Sequence, residues 1–378
     1  MATLKFQDES PFVGIRTRHH HSTDFRYTQF LKGLSHVEIP PKPLRLALFG
    51  LGRAGSIHLA NIVANPQLDL KYIVEADKTK WDSFRAKWGL GDVQFIEPQD
   101  SKAVFESSEV DATLIATPTF THENLVLQSL LGNKAVFCEK PISEDREGTR
   151  RCYETAQKAG QPLFCAFNRR FDPSFREVYE RTRTGDVGQV LLIKTTSRDS
   201  PLPTLEYLKT SGGIFHDCAV HDIDLVTWIL GEYPIEVHSI ANATIPEIRN
   251  INDFDNVVIT MKFESGTMAV IDLCRFASYG YDQRLEVFGP KGMLSVQNDH
   301  PTQSYFSGNS GVSRSPIYHS FPSRFLHGYQ LELEQFIRVA QGSEENPVSS
   351  QMTLAVSKIA TACEESARSG TPVSLNWN

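Results

Sequence analysis

From Leu44 onward the chain alternates short, continuous apolar runs with longer segments whose apolar residues recur at helical spacing. The runs Leu44 to Phe49, Leu68 to Val74 and Asp111 to Thr117, bounded by glycine or polar turns, predict strands buried on both faces. Gly55 to Ala64, His122 to Leu131 and Glu144 to Lys158 predict helices, with further strands at Ala135 to Cys138 and Pro162 to Phe167. Parallel strands need crossovers of helical length, and these helices supply them. Residues 44–167 are therefore expected to form an open, doubly wound α/β sheet.

The pattern changes after Phe167. Phe175 to Thr182 predicts a helix, Gln189 to Ser197 a strand, and Phe215 to Leu230 a helix ended by Gly231. Long β-rich runs follow, turned at Glu264-Ser265-Gly266 and at Gly289-Pro290-Lys291-Gly292, which read as hairpins. Consecutive hairpins predict a large, mainly antiparallel open sheet, one face of which must be covered. Helices are expected at Gly328 to Ala340 and Ser350 to Ala367, making 168–378 an α+β domain whose last helices can pack back on the first domain. Residues 1–43 lack sustained periodicity, carry His19, His20 and His21, and end in Pro40, Pro41 and Pro43. They are expected to be a flexible N-terminal extension, with the histidines a solvated stretch.

Composition narrows the class. Of 378 residues, 40% are hydrophobic and 22% charged, which suits a globular protein and excludes collagen-like, disordered and disulfide-scaffold chains. The net charge of −7, with no basic face, argues against a nucleic-acid partner. No apolar run can span a bilayer and the first residues lack a hydrophobic signal core, so a soluble, cytoplasmic protein without a membrane partner is expected. The six cysteines are scattered without a C-x-x-C pair, which predicts buried thiols in a reducing compartment and no metal site.

Gly50-Leu51-Gly52-Arg53-Ala54-Gly55 joins the strand LRLALF to the helix SIHLANIVA. In that context the first glycine allows the tight turn, the second close approach of a pyrophosphate, and the third close packing of helix on strand. The next strand ends in Glu75-Ala76-Asp77, and Asp77 is the better placed carboxylate for an adenosine ribose diol. A carboxylate there repels a 2′-phosphate, so NAD is expected; the neighbouring Lys78 keeps NADP open.

Two segments put ionisable groups where chemistry can use them. Glu139-Lys140-Pro141 follows the strand AVFC and so lies at the carboxyl edge of the sheet, where Lys140 can hydrogen-bond an oxygen on a substrate carbon; the alternative is a solvated charge. Asp217 and His221 fall at i and i+4 of an expected helix, so a carboxylate can orient an imidazole that takes a hydroxyl proton as the alcohol gives up hydride. The same pair reads equally as a helix-start acid and a buried, hydrogen-bonded histidine.

In order along the chain stand GLGRAG, TPTFTHENL, CEKP, FNRRFDPSF, TSRD, SGGIFHDCAVHDIDLVTWILG and YGYDQRLEVFGPKGML. From about Leu44 to the C-terminal helices this series resembles the Gfo/Idh/MocA oxidoreductase family, and within it the inositol 2-dehydrogenase branch. The resemblance implies an N-terminal Rossmann domain and NAD-dependent oxidation of a secondary ring hydroxyl of an inositol to an inosose. It implies that Lys140 holds the reacting oxygen and that Asp217 and His221 are the acid–base pair, His221 taking the proton. Asn168, Arg169, Asp199 and Tyr281 would line the polyol pocket; Thr117, Pro118 and His122 would sit in the loop on the nicotinamide side, with Glu139 among the cofactor contacts. A homodimer or homotetramer formed through the second-domain sheet is also implied. A sugar or dihydrodiol substrate, or a non-catalytic NAD-binding regulator, keeps the same fold. Other residue roles stay open: Arg170 and Asp172 can pair with each other, and His122 can cap its helix. His216 stands where many inositol-type relatives have Arg, a change that bears on which ring fits.

Overall fold

The computed structural model describes residues 42–377. Nearly all of the extension expected over 1–43, with His19, His20 and His21, lies outside the described residues. The described chain divides into two compact units, one of residues 42–168 and 327–354, the other of 169–326 and 355–377.

The first unit holds six strands: β1 (Leu44–Phe49), β2 (Leu68–Val74), β3 (Gln94–Ile96), β4 (Ala112–Ile115), β5 (Ala135–Glu139) and β6 (Leu163–Ala166). All pair in parallel, in the order β3-β2-β1-β4-β5-β6. The central strands β1, β4 and β5 are buried almost throughout, as continuous apolar runs require. The short β3 and the helix Trp81–Trp88 lack the apolar runs that announced their neighbours. Phe336, on the helix Leu326–Ala340, sets its ring edge-on to Phe137 and Phe164 at 5.5 and 5.9 Å, so this helix covers β5 and β6. The strand order reverses at β1 and β4. The crevice at their carboxyl ends is where open α/β sheets take ligands.

The second unit is built on β7 (Leu192–Arg198), β8 (Glu236–Asn242), β9 (Asn256–Lys262), β10 (Met268–Cys274), β11 (Asp282–Gly289) and β12 (Gly292–Val296). β13 (Tyr305–Gly308) and β14 (Gly311–Arg314) form a separate exposed hairpin, and β15 (Val373–Ser374) adds to the edge at β8. The seven-stranded order is β12-β11-β7-β10-β9-β8-β15, antiparallel except where β7 runs parallel to β10. The helices Pro173–Arg183 and Val220–Leu230 cover the inner face. Strict alternation sets the outer face: along β9 Val257, Ile259 and Met261 are buried while their neighbours are exposed. Register aligns Met293, Phe288, Leu192 and Met268 as an apolar row across four strands of that outer face.

Four buried arginines lie against aspartates in the second unit. Arg169 meets Asp222 at 3.0 Å, Arg170 grips Asp224 with two bonds of 2.8 and 2.5 Å, Arg275 reaches both Asp217 and Asp253, and Arg324 meets Asp172 at 2.7 Å. Arg170 and Asp172, readable as partners from sequence, thus bind elsewhere, and Asp172 also caps the helix Pro173–Arg183 through the Ser174 and Phe175 amides.

All six cysteines are thiols outside any disulfide, four of them buried. Burial pushes the Cys152 and Cys363 thiols up to about 12, so neither is a thiolate at neutral pH. No helix among the described residues is long and apolar enough to cross a membrane.

A buried charge left without its partner costs about 3–5 kcal/mol. Asp224→Ala should lose stability of that order in denaturant titrations, because Arg170 would stay buried. The double change Arg170→Met with Asp224→Leu should lose much less.

Candidate active site

The glycine loop between β1 and the helix Arg53–Ala64 is formed by close backbone contacts. Gly50 adopts φ +90°, and a Cβ there would stand 2.6 Å from the Ala116 carbonyl oxygen at the end of β4. A Cβ on Gly55 would stand 2.0 Å from the Gly50 oxygen, so no side chain fits between helix and strand. Gly52 differs from both, since a Cβ there would meet nothing within 4 Å. The helix starts at Arg53 with no side-chain cap and no acid in its first turn, which leaves its amide N–H groups and positive end for an anion. Arg53 is exposed at that end, with Ala54 half-buried behind it. This cradle fits a pyrophosphate.

The two carboxylates after β2 have separate roles. Glu75 is buried and accepts from the Leu51 amide at 2.6 Å and the Asp77 amide at 2.8 Å, bracing the glycine loop. Asp77 is exposed and bonds Thr79, which holds its carboxyl below the usual range. Lys78 pairs with Glu97 at 2.6 Å, while Lys80 stands 3.8 Å from Asp77. The cation that would have favoured a 2′-phosphate is thus engaged elsewhere.

Lys140 follows β5 at the same carboxyl edge, half-buried between two anchored neighbours. Glu139 accepts from His58 Nε2 at 2.7 Å; His58 is fully buried on the glycine-loop helix, edge-on to Phe137 and Tyr329. On the other side His122 sets Nδ1 2.7 Å from the Pro141 oxygen and Nε2 2.8 Å from the Thr117 oxygen. His122 is 1% exposed. With both ring nitrogens facing backbone carbonyls, His122 ties the loop after β4 to Pro141. Thr117 bonds Thr121 within that loop, Pro118 is exposed, and Phe120 beside them stands 64% exposed. Sequence reasoning passed over His58 and Phe120. The only local sign of either was an imidazole or an aromatic ring close to a recognised motif.

In the second unit, Gly212 and Gly213 take φ +83° and +82°, a sequence of two left-handed positions that suits only glycine. They lead into a π-helical turn, Phe215–Ala219, before the α-helix Val220–Leu230 begins. The expected helix over 215–230 is therefore not uniform: Asp217 lies in the wide turn and His221 in the first α turn. Asp217 accepts from Tyr207 Oη at 2.8 Å and from Arg275 Nη1 at 3.0 Å. His221 is half-buried.

Asn168 and Arg169 are both buried at the start of the turn Asn168–Phe171. Arg169 Nη1 lies 3.0 Å from Ser197 Oγ and from Asp222 Oδ1, and its guanidinium also bonds Tyr281. These contacts brace Arg169 from inside the unit. Tyr281 is pushed up by burial and by the nearby charges of Asp199 and Asp222, against the pull of Arg169, so its hydroxyl stays protonated. Asp199 is half-buried and accepts from the Ser200 amide at 2.9 Å. His216, expected to bear on ring selection, faces Glu364 at 3.4 Å, and its hydrogen bond holds that carboxyl down to about 2.

Comparison with known proteins follows the same division. Residues 44–167 match the model of an oxidoreductase family with an NAD-binding Rossmann fold, and residues 175–295 match the GFO/IDH/MocA C-terminal domain. An inositol 2-dehydrogenase of Rhizobium meliloti is 34% identical over 88% of this chain and 99% of its own. The crystal structure of a myo-inositol dehydrogenase from Corynebacterium glutamicum superposes with a TM-score of 0.82 at 33% identity, covering 89% of this chain and 100% of that one. A scyllo-inositol dehydrogenase from Lactobacillus casei, solved with NAD(H) and scyllo-inositol, gives 0.81 at 26% identity, over 88% and 99%.

Two outcomes are expected. Gly52→Ala should leave thermal stability unchanged and weaken dinucleotide binding, read by titration of NADH fluorescence, because the added methyl occupies the space a pyrophosphate needs. Glu364, ordinarily near 4.5 and held at about 2 when folded, contributes stability present above about pH 4.5 and lost as pH falls toward 2. In Glu364→Gln the acid limb of a melting-temperature profile across that window should flatten.

Proposed function

This chain belongs to the Gfo/Idh/MocA oxidoreductase family, and we propose that it oxidises a secondary ring hydroxyl of an inositol, of the myo-inositol type, to an inosose, with NAD as oxidant. The observation that carries the reading is Lys140 at the carboxyl end of β5, its flanking residues fixed by His58 and His122, on the edge that also bears the glycine loop. The activities of these relatives support the choice of substrate.

NAD held by Gly50, Gly52 and Gly55 would supply the hydride acceptor. Lys140 donates a hydrogen bond to the reacting oxygen and stabilises it as the carbonyl forms. His221 takes the hydroxyl proton, with Asp217 as the adjacent carboxylate. Asn168, Arg169, Asp199 and Tyr281 supply polar partners for the remaining ring hydroxyls. Buried donors and acceptors of this kind reject a ring that fails to match them. Glu75 holds the loop and Asp77 receives the ribose diol, which favours NAD over NADP.

The apolar row on the outer sheet face, with Met268 and Met293 each more than half exposed, supports self-association into a dimer or tetramer.

The first assay is absorbance at 340 nm with NAD or NADP and a panel of myo-, scyllo- and chiro-inositol, glucose and xylose. Turnover on an inositol with NAD is expected; turnover on glucose or xylose alone moves the reading to sugars, and NAD binding without any turnover moves it to a sensor. Lys140→Ala and His221→Ala should each lower kcat by about 10²–10⁴-fold; near-normal rates in both would remove these roles. Sedimentation velocity should give a species larger than the 42.4 kDa chain.

A further inference from the structure

Asp217 is held from two sides by residues that the acid–base assignment does not include. Arg275, immediately after β10, is completely buried. Its Nη1 donates to Asp217 Oδ2 at 3.0 Å and lies 3.3 Å from Cys218 Sγ, while its Nη2 donates to Asp253 Oδ2 at 3.1 Å. Asp253 in turn accepts from the Ile214 amide at 2.9 Å, fixing the entry to the π-helical turn. On the opposite side Tyr207, from the short helix Leu205–Thr210, donates its hydroxyl to Asp217 Oδ1 at 2.8 Å. Each carboxylate oxygen thus has its own donor, one of them charged.

We propose that Arg275 and Tyr207 are positioning residues that hold Asp217 as a fixed anion, so that Asp217 orients and polarises His221 without itself carrying the substrate proton. Charge-assisted bonds are the strong ones, and a guanidinium buried with its carboxylate keeps that carboxylate ionised. The Tyr207 hydroxyl remains a donor, since burial and the Asp217 charge both disfavour its ionisation. Arg275 alone faces two carboxylates, and the second donor on Asp217 offsets the negative charge left over. Tyr207 is 47% exposed as a whole, so its ring contributes little to the core. The proposal rests on the reading that His221 takes the substrate proton, but the state of Asp217 is testable without turnover.

Two measurements separate the two readings. In unliganded protein carrying ¹³C-labelled aspartate side chains, with the Asp217 signal assigned from Asp217→Asn, the carboxyl shift should stay at its ionised value from pH 5 to pH 9. The groups facing it are Tyr207, Cys218 and Arg275, with Asp253 behind, together with His221, the residue it is proposed to orient. A titration of Asp217 inside that window would overturn the proposal whether or not any inositol is a substrate. In the inositol assay Tyr207→Phe should lower kcat about tenfold with KM within about twofold; an unchanged kcat would also overturn it. Arg275→Lys should recover much of the rate that Arg275→Met loses. Absence of turnover in the unmodified protein would remove the inositol reading and leave the carboxyl measurement to decide the clamp.

Discussion

The second unit is organised by the requirement that a buried charge be met by an opposite one. Its candidate site residues are interleaved with the residues that satisfy this rule. Arg169 and Arg170 follow Asn168 directly, Asp222 and Asp224 follow His221, and Arg275 stands behind Asp217. A helix that carries two buried aspartates can settle in only one orientation against its arginines, because any rotation strands a charge in a low-dielectric interior. The same contacts that secure the helix Val220–Leu230 therefore set where His221 points. In this unit, stability and site geometry share one set of interactions.

The first unit reaches the same end by other means. Its lysine sits on a turn whose two neighbours are tied down by histidines from different helices, one from the glycine-loop helix and one from the start of the helix His122–Leu131. Small displacements of the cradle are thereby felt at Lys140, since His58 links the helix Arg53–Ala64 to Glu139 through one bond of 2.7 Å.

What was legible in the sequence follows from this division. β1, β2 and the helix His122–Leu131 match their expected limits because continuous apolar runs and helical periodicity are local signals. The glycine loop was legible for the same reason, each glycine having a steric neighbour close in the motif or at the adjacent strand end. The partners of Glu139, His122 and His216 were not. They lie 81, 19 and 148 positions away in the chain, and a single sequence carries no mark of such pairings. The parallel pairing of β7 with β10 was hidden too, because the hairpins around it are local and the long excursion between them is not. Arg170 and Asp172 show the opposite failure: adjacency suggested a pair where the fold gave each a distant partner.

The π-helical turn at Phe215–Ala219 makes the segment sensitive to chain length as well as to residue identity. Each residue of an α-helix advances the chain by about 100°. Removing one residue from this turn would let the helix run on as a regular α-helix, its apolar and charged contacts downstream intact, while swinging Asp217 away from both of its donors. Divergence at this place is therefore freer by substitution than by insertion or deletion. A homologue one residue shorter here would keep the fold and lose the arrangement around its carboxylate.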